Sequence, residues 1–308
     1  MLRHFLTLTD FSETELRGLL ACAKRCKRER GYGRRTLTGK TVALVFQKPS
    51  MRTRVAFEVA VLQLGGAVVY LGQEDIQLGQ REPIKDVARV LSRYVDGIVV
   101  RTFAHRDAEE FARHASCPVI NGLSDLVHPC QALADLFTME ECFHRLKGLT
   151  LCYVGDGNNV LHSLLEGCAM FGVHAAVASP PGYRPDGSIW KSVGRRAKAH
   201  GASIRWDEDP KNAARGADVL YTDVWVSMGQ ERERAKRLRA FRPYQLSRVL
   251  LQHAKPGCRI MHCLPAHRGE EITDEVMESP QSLILAQAEN RLHVQKALLL
   301  MLLARANR

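Results

Sequence analysis

Short apolar runs alternating with helix-patterned stretches constrain this chain most. Thr41–Phe46 reads as a buried strand, Ala67–Leu71 and Gly97–Val100, which ends at Arg101, as further strands, and Pro118–Asn121 as a short one. Helical patterns separate them: Glu13 to about Arg30, Met51–Leu64, Ile84–Val95, Asp107–His114 and His128–Phe143. Gly72–Pro83 is polar and irregular and reads as an exposed loop. Parallel neighbours need a crossover connection, so this alternation predicts a parallel sheet flanked by helices on both faces.

The pattern restarts after Lys147-Gly148, where the domain boundary is expected. Strands are predicted at Leu149–Val154, Ala175–Ala178, Ala202–Trp206, Val219–Thr222 and Arg259–His262, with helices at Asn159–Phe171 and Gly187–His200. A last amphipathic helix, Ala288–Ala306, carries Val294, Leu298, Met301 and Leu302 on one face. The expected fold class is α/β, with two doubly wound domains and the C-terminal helix returning to the first. The expected domains are 1–147 with 288–308, and 148–287.

With 308 residues, 45% hydrophobic and 25% charged, the chain can bury two full cores. No apolar run reaches the ~18 residues of a membrane helix. Met1–Phe5 lacks the pattern of a signal peptide, so a cytoplasmic protein with no membrane partner is expected. Nine cysteines without C-x-x-C pairs suggest reduced, mostly buried thiols. The net charge of +11 is concentrated in Lys24–Arg30 and Arg34-Arg35. Without interleaved aromatics, this cluster is better read as a solvated helix face than as a nucleic-acid surface. A positive field also suits an anionic small substrate.

In open parallel sheets, ligands bind beyond the carboxyl ends of strands. Ser50 follows the first strand at an N-cap position, with Arg52 and Thr53 in the first helical turn. Unpaired backbone N–H groups, the helix dipole, a guanidinium fork and a hydroxyl all favour an anion there. Arg101-Thr102 ends another strand. His128 and Gln131 lie one turn apart around Pro129, which suits the first helical position. In the second half Gly155-Asp156-Gly157 invites a dinucleotide reading. Val160 replaces the third glycine, however, and no acidic residue ends the next strand. Asn158 and Asn159 suit a polar amino-acid substrate instead. Asp223 is placed to pair with a substrate ammonium, and Ser227-Met228 sit on a loop. The stretch His262-Cys263-Leu264-Pro265-Ala266-His267 matches no zinc spacing, and Cys263 suits a nucleophile, a polar contact or a proton acceptor.

Taken together these segments resemble the ornithine carbamoyltransferases of the aspartate/ornithine carbamoyltransferase superfamily. The resemblance spans nearly the whole chain. It rests on F-x-K-x-S-x-R-T-R from Phe46, Asp86–Leu91, His128–Asp135, Gly155–Asn159, Asp223-x-Trp225-x-Ser227-Met228-Gly229, His262–His267 and Gln287–Arg291. S-x-R-T-R and H-P-x-Q are general to carbamoyltransferases, whereas the Ser227–Gly229 loop and H-C-L-P point to ornithine.

The resemblance implies transfer of the carbamoyl group of carbamoyl phosphate to the δ-amine of L-ornithine, without metal or organic cofactor, at a site between two domains. It implies carbamoyl phosphate contacts at Ser50, Met51, Arg52, Thr53, Gln77, Arg101, His128, Pro129, Cys130, Gln131, Cys263, Leu264 and Arg291. The ornithine contacts would be Asn159, Asp223, Ser227 and Met228. Catalytic roles fall to Arg101, His128, Asp223 and Cys263. A cis Leu264–Pro265 bond is implied. Gln77 matches a position that reaches a neighbouring subunit's site, which implies a homotrimer or a multiple of trimers. The family usually has threonine where this chain has Met51. A backbone N–H contact survives that change, and a hydroxyl contact does not. Putrescine or N-acetylornithine as acceptor, and a non-catalytic basic binding protein on this fold, are the competing readings.

Overall fold

The structure is a computed structural model and describes residues 2–79 and 81–304. The chain divides into two units, Met1–Phe137 with Glu289–Arg308, and Thr138–Ala288. The boundary expected at Lys147-Gly148 lies further along, at the turn into the second sheet.

The first unit opens with α1 (Glu13–Arg28), whose N-cap Ser12 exchanges hydrogen bonds with Glu15 in a capping box. β1 (Thr41–Phe46), α2 (Met51–Gln63), β2 (Ala67–Leu71), α3 (Gln73–Ile76), α4 (Ile84–Tyr94), β3 (Gly97–Arg101), α5 (His105–His114) and β4 (Val119–Leu123) follow, and α6 (Pro129–Phe143) begins here. The strands form one parallel sheet in the order β2-β1-β3-β4. The order reverses between β1 and β3, and their register sets Phe46 opposite Arg101. Both strand ends therefore open onto the switch point, where an α/β sheet leaves room for a ligand. β3 and β4 are buried throughout. A core of Val45, Ile98, Val100, Val87, Ala88 and Phe111 joins this sheet to α4 and α5.

Two expectations change here. The Gly72–Pro83 loop contains the short helix α3, after which Gln77 turns left-handed at φ 40°; Gln80, in the same loop, lies outside the described residues. In α2 the buried residues are Thr53, Phe57, Ala60 and Val61, while Val55 and Leu62 stand 49% and 62% exposed. Apolar spacing located the helix without locating the face it buries.

The second unit holds β5 (Thr150–Val154), α7 (Asn159–Phe171), β6 (His174–Ala178), α8 (Gly187–Ala199), β7 (Ile204–Asp207), α9 (Pro210–Ala214), β8 (Val219–Thr222), α10 (Arg234–Phe241), α11 (Arg248–Leu251), β9 (Arg259–His262) and α12 (Asp274–Met277). Its parallel sheet runs β7-β6-β5-β8-β9, reversing between β5 and β8. Tyr153 pairs with Tyr221, and Thr222 with His262. The residues just past these strands are Gly155, Asp223 and Cys263.

The last helix, α13 (Ile284–Leu303), starts a turn earlier than expected; the predicted extension to Ala306 falls partly outside the described residues. Val294, Leu298 and Leu302 are buried, as the periodicity requires. From Glu289 onward it belongs to the first unit, where the buried Lys40 ammonium donates to the Leu303 carbonyl at 2.6 Å. That bond neutralises a helix C-terminus with a cation.

Candidate active site

In the first unit five predicted residues converge. Ser50 N-caps α2, its hydroxyl accepting from the Thr53 N–H at 3.3 Å. The Thr53 hydroxyl, fully buried, accepts from Arg291 at 2.6 Å and from Arg101 at 3.4 Å. Both guanidiniums are themselves buried. Their charges and complete burial hold His128 well below the usual imidazole pKa, burial being the larger cause. The ring is therefore neutral, and a neutral imidazole can donate a hydrogen bond to an oxyanion without adding a third buried charge. A helix start, two guanidiniums and a neutral histidine make a dianion site with a carbonyl-polarising group beside it.

Pro129 begins α6, and Cys130 and Gln131 fill its first turn. The Cys130 thiol donates to the Asn121 carbonyl at 3.4 Å, and burial pushes its pKa up to about 12, so it packs as a neutral side chain. The Gln131 amide nitrogen donates to Asp135 at 2.8 Å, while its buried oxygen has no partner among the described residues. That oxygen suits a donor such as a carbamoyl NH2. Arg52 is half-buried at the start of α2, and Met51 is 68% exposed there. Gln77 is exposed beyond α3, hydrogen-bonding through its backbone to Gln73 and Arg81.

Sequence reasoning missed the brace around this half-site. The Gln47 side chain accepts from the Phe103 N–H, and the buried Lys48 ion-pairs with Asp125 while its ammonium lies 4.4 Å from the Phe103 ring. These contacts tie the loops after β1, β3 and β4. Lys48 is inside the quoted motif, but its partner comes from a loop 77 residues on.

In the second unit Asp223 uses both oxygens. One accepts from the Cys263 thiol at 2.9 Å, the other from the Asn158 amide at 2.7 Å. The Asn158 oxygen meanwhile caps α7, accepting from the Val160 and Leu161 N–H groups. Asn159 takes the first position of α7 and is half-buried. Ser227 is half-buried and Met228 47% exposed, on the loop after Trp225. Gly157 is needed for packing: a Cβ there would meet the Arg184 carbonyl carbon at 2.3 Å. Its presence therefore requires no bound phosphate.

The Leu264–Pro265 bond is cis, and Leu264 has φ 60°. The Leu264 N–H donates to His262 Nδ1 at 2.9 Å, which leaves Nε2 to donate to Glu271 at 3.1 Å. His262 further receives backbone support from Gln287, whose amide reaches the Tyr221 hydroxyl. Donor atoms of Asp223, His262 and Cys263 lie within 4.8 Å of one another, a spacing open to a metal. Both ring nitrogens of His262 already have hydrogen-bond partners, so the cluster is arranged for hydrogen bonding. What it offers chemically is a carboxylate and a thiol sharing a proton beside a strand end.

A capped helix start suited to an anion at one sheet's switch point and an acid–thiol pair at another fit a two-domain group-transfer protein. Two family models match the chain: the aspartate/ornithine carbamoyltransferase carbamoyl-P binding domain over residues 3–141, and the Asp/Orn binding domain of the same family over residues 147–302. The ornithine carbamoyltransferase of Methanoculleus marisnigri is 53% identical over 306 residues, covering 99% of this chain and 98% of its own. A Pyrococcus furiosus protein named ornithine carbamoyltransferase, anabolic, is 52% identical over 299 residues, 96% of this chain and 95% of its own. The solved ornithine carbamoyltransferase structure from Pyrococcus furiosus superposes with a TM-score of 0.96 at 50% identity, covering 99% of this chain and 98% of that one. The chain belongs to the aspartate/ornithine carbamoyltransferase family.

Proposed function

We propose that this protein is an ornithine carbamoyltransferase, converting carbamoyl phosphate and L-ornithine to L-citrulline and phosphate in the direction of arginine synthesis. The observation that carries the reading is the Thr53 hydroxyl gripped by Arg101 and Arg291 beside a neutral His128. Ser50, Met51, Arg52 and Thr53 bind the phosphate through the start of α2. Arg101 and His128 polarise the carbamoyl carbonyl, Gln131 accepts from its NH2, and Arg291 steadies the leaving group. Donors aimed at a developing oxyanion are worth on the order of 3 kcal/mol each.

The neutral δ-amine attacks the carbamoyl carbon, and a C–N bond forms. The C–O bond to phosphorus then breaks, its electron pair leaving with phosphate. The amine proton passes to the Asp223–Cys263 pair or to the departing phosphate. Asn159, Asp223, Ser227 and Met228 hold the α-amino and α-carboxylate groups, with the Leu264 carbonyl beside the amine. No covalent enzyme intermediate is required.

The exposed Met51, Val55 and Leu62 on α2, with Val69 on β2, support assembly as a homotrimer or a multiple of trimers. Exposed Gln77 is the residue proposed to reach a neighbouring site. All nine cysteines are free thiols, which suits a cytoplasmic setting, and among the described residues no helix is long and apolar enough to cross a membrane. A citrulline assay with carbamoyl phosphate and a panel of amines tests the activity. Product with ornithine alone is expected. Product with putrescine or N-acetylornithine instead would move the acceptor, and no product with any amine would favour a binding role.

A further inference from the structure

The carboxylate after Gly155 is engaged by a residue that no substrate role accounts for. Asp156 and Arg237 are 6% and 4% exposed, and the guanidinium donates to the carboxylate at 3.0 Å across 81 residues of sequence. Arg237 lies on α10, the first α-helix after the Ser227-Met228-Gly229 turn. Its guanidinium carbon is 4.9 Å from the Tyr183 ring and 5.8 Å from Phe241, and Glu233, at the N-cap of α10, pairs with it at 3.5 Å. Trp225, at the other end of the turn, stacks on Phe241 with ring centroids 6.0 Å apart. Both ends of the segment carrying Ser227 and Met228 are thus pinned to one aromatic and ionic cluster. Between them the turn's backbone is held by nearby side chains: the Ser227 N–H donates to the Gln230 side-chain oxygen and the Gly229 N–H to the Glu231 carboxylate. Asp156 is joined in turn to the opposite side, since its carbonyl accepts from the Asn158 N–H at 2.8 Å and Asn158 holds Asp223.

A buried ion pair is a poor way to gain stability compared with apolar filling, but it fixes geometry closely. We propose that Arg237 and Asp156 are a positioning pair that sets the Ser227–Met228 turn against Asn158 and Asp223, and so governs affinity for the α-amino acid end of the acceptor. This rests on the reading that these residues bind ornithine. Neither member touches the reacting atoms.

The test uses Arg237→Met, Asp156→Asn and Arg237→Lys, with both substrates varied. Arg237→Met and Asp156→Asn are expected to raise the ornithine KM by about tenfold or more, with kcat at saturating ornithine and the carbamoyl phosphate KM within about twofold. Arg237→Lys, keeping the charge, recovers part of the loss. The double variant D156N/R237M leaves neither charge buried alone. Its thermal midpoint should therefore rise above that of the single variants while its ornithine KM stays high, a split that a merely structural pair would not give. Burial pushes the Asp156 carboxyl up to about 6 against the pull of Arg237, with Asp223 and Glu233 facing it as further negative charges. The ratio of ornithine KM between Asp156→Asn and the parent should accordingly fall towards one as pH drops through about 6. An unmoved ornithine KM in the folded variants, or equal rises for both substrates, overturns the proposal alone. A parent protein that makes no citrulline overturns the activity on which it rests, and the proposal with it.

Discussion

The two half-sites are built from opposite charge. The first gathers two buried guanidiniums and a histidine kept neutral beside them; the second is built around Asp223, with a thiol donating to it, and is braced by the Asp156–Arg237 pair. In the proposed function the first would stabilise a dianion, and the second an amine and its departing proton. Each unit solves its own burial problem differently. The cations meet at one hydroxyl, Thr53, whereas the acids are matched by the donors Asn158, Cys263 and Arg237.

The comparison predicts that damage to one half-site leaves affinity for the other substrate intact. The largest effect belongs to Arg101→Ala, which should lower kcat/KM for carbamoyl phosphate by about 10²–10³-fold in steady-state assays. Arg52→Ala should raise the carbamoyl phosphate KM far more than the ornithine KM; equal loss of both would break the division. Asp223→Asn should lower kcat/KM for ornithine by about 10²-fold with carbamoyl phosphate binding unchanged by calorimetry. An unaltered ornithine saturation curve would remove Asp223 from its role.

A third contrast is in stability against pH. His128 titrates well below its ordinary 6.5 when folded, so between those values the unfolded chain binds the extra proton. Its contribution therefore falls as pH drops below 6.5, by up to about 1.4 kcal/mol per pH unit. Asp156 has the reverse sign: raised from 3.8 to about 6, its contribution grows as pH falls through that window. Denaturant midpoints measured from pH 8 to 5 should show a slope reduced by His128→Asn and made steeper by Asp156→Asn. The smallest effect is Met51→Thr. With a side chain 68% exposed, it should change the carbamoyl phosphate KM by less than about threefold. A larger gain would mean that the phosphate uses a hydroxyl at that position.

Much of the molecule was legible in one dimension. Thr41–Phe46 and Val219–Thr222 fall where their apolar runs put them, because a strand buried on both faces has to be continuously apolar, whereas Ala67–Leu71, at the edge of its sheet, is apolar but partly exposed. Ser50 as N-cap and Pro129 as first helical residue were readable for a similarly local reason: a helix end must satisfy its own orphan N–H groups. Helices α9, α11 and α12 are too short to show periodicity, and α3 was hidden in a polar loop. The helical pattern over Met51–Leu64 marked a helix but not its core, since Val55 and Leu62 are exposed while Thr53 and Phe57 are buried.

By itself, then, the order of residues determined two parallel sheets, the capped helix start at Ser50, and the set of side chains gathered at strand ends. Tertiary structure decided which of those side chains meet. The pairing of Thr222 with His262 places Asp223 next to Cys263, α13 returns Arg291 to Thr53, and Arg237 finds Asp156. These are contacts between residues 40 to 238 positions apart. Strand register and helix packing are settled only when a whole core closes, and no local pattern encodes them.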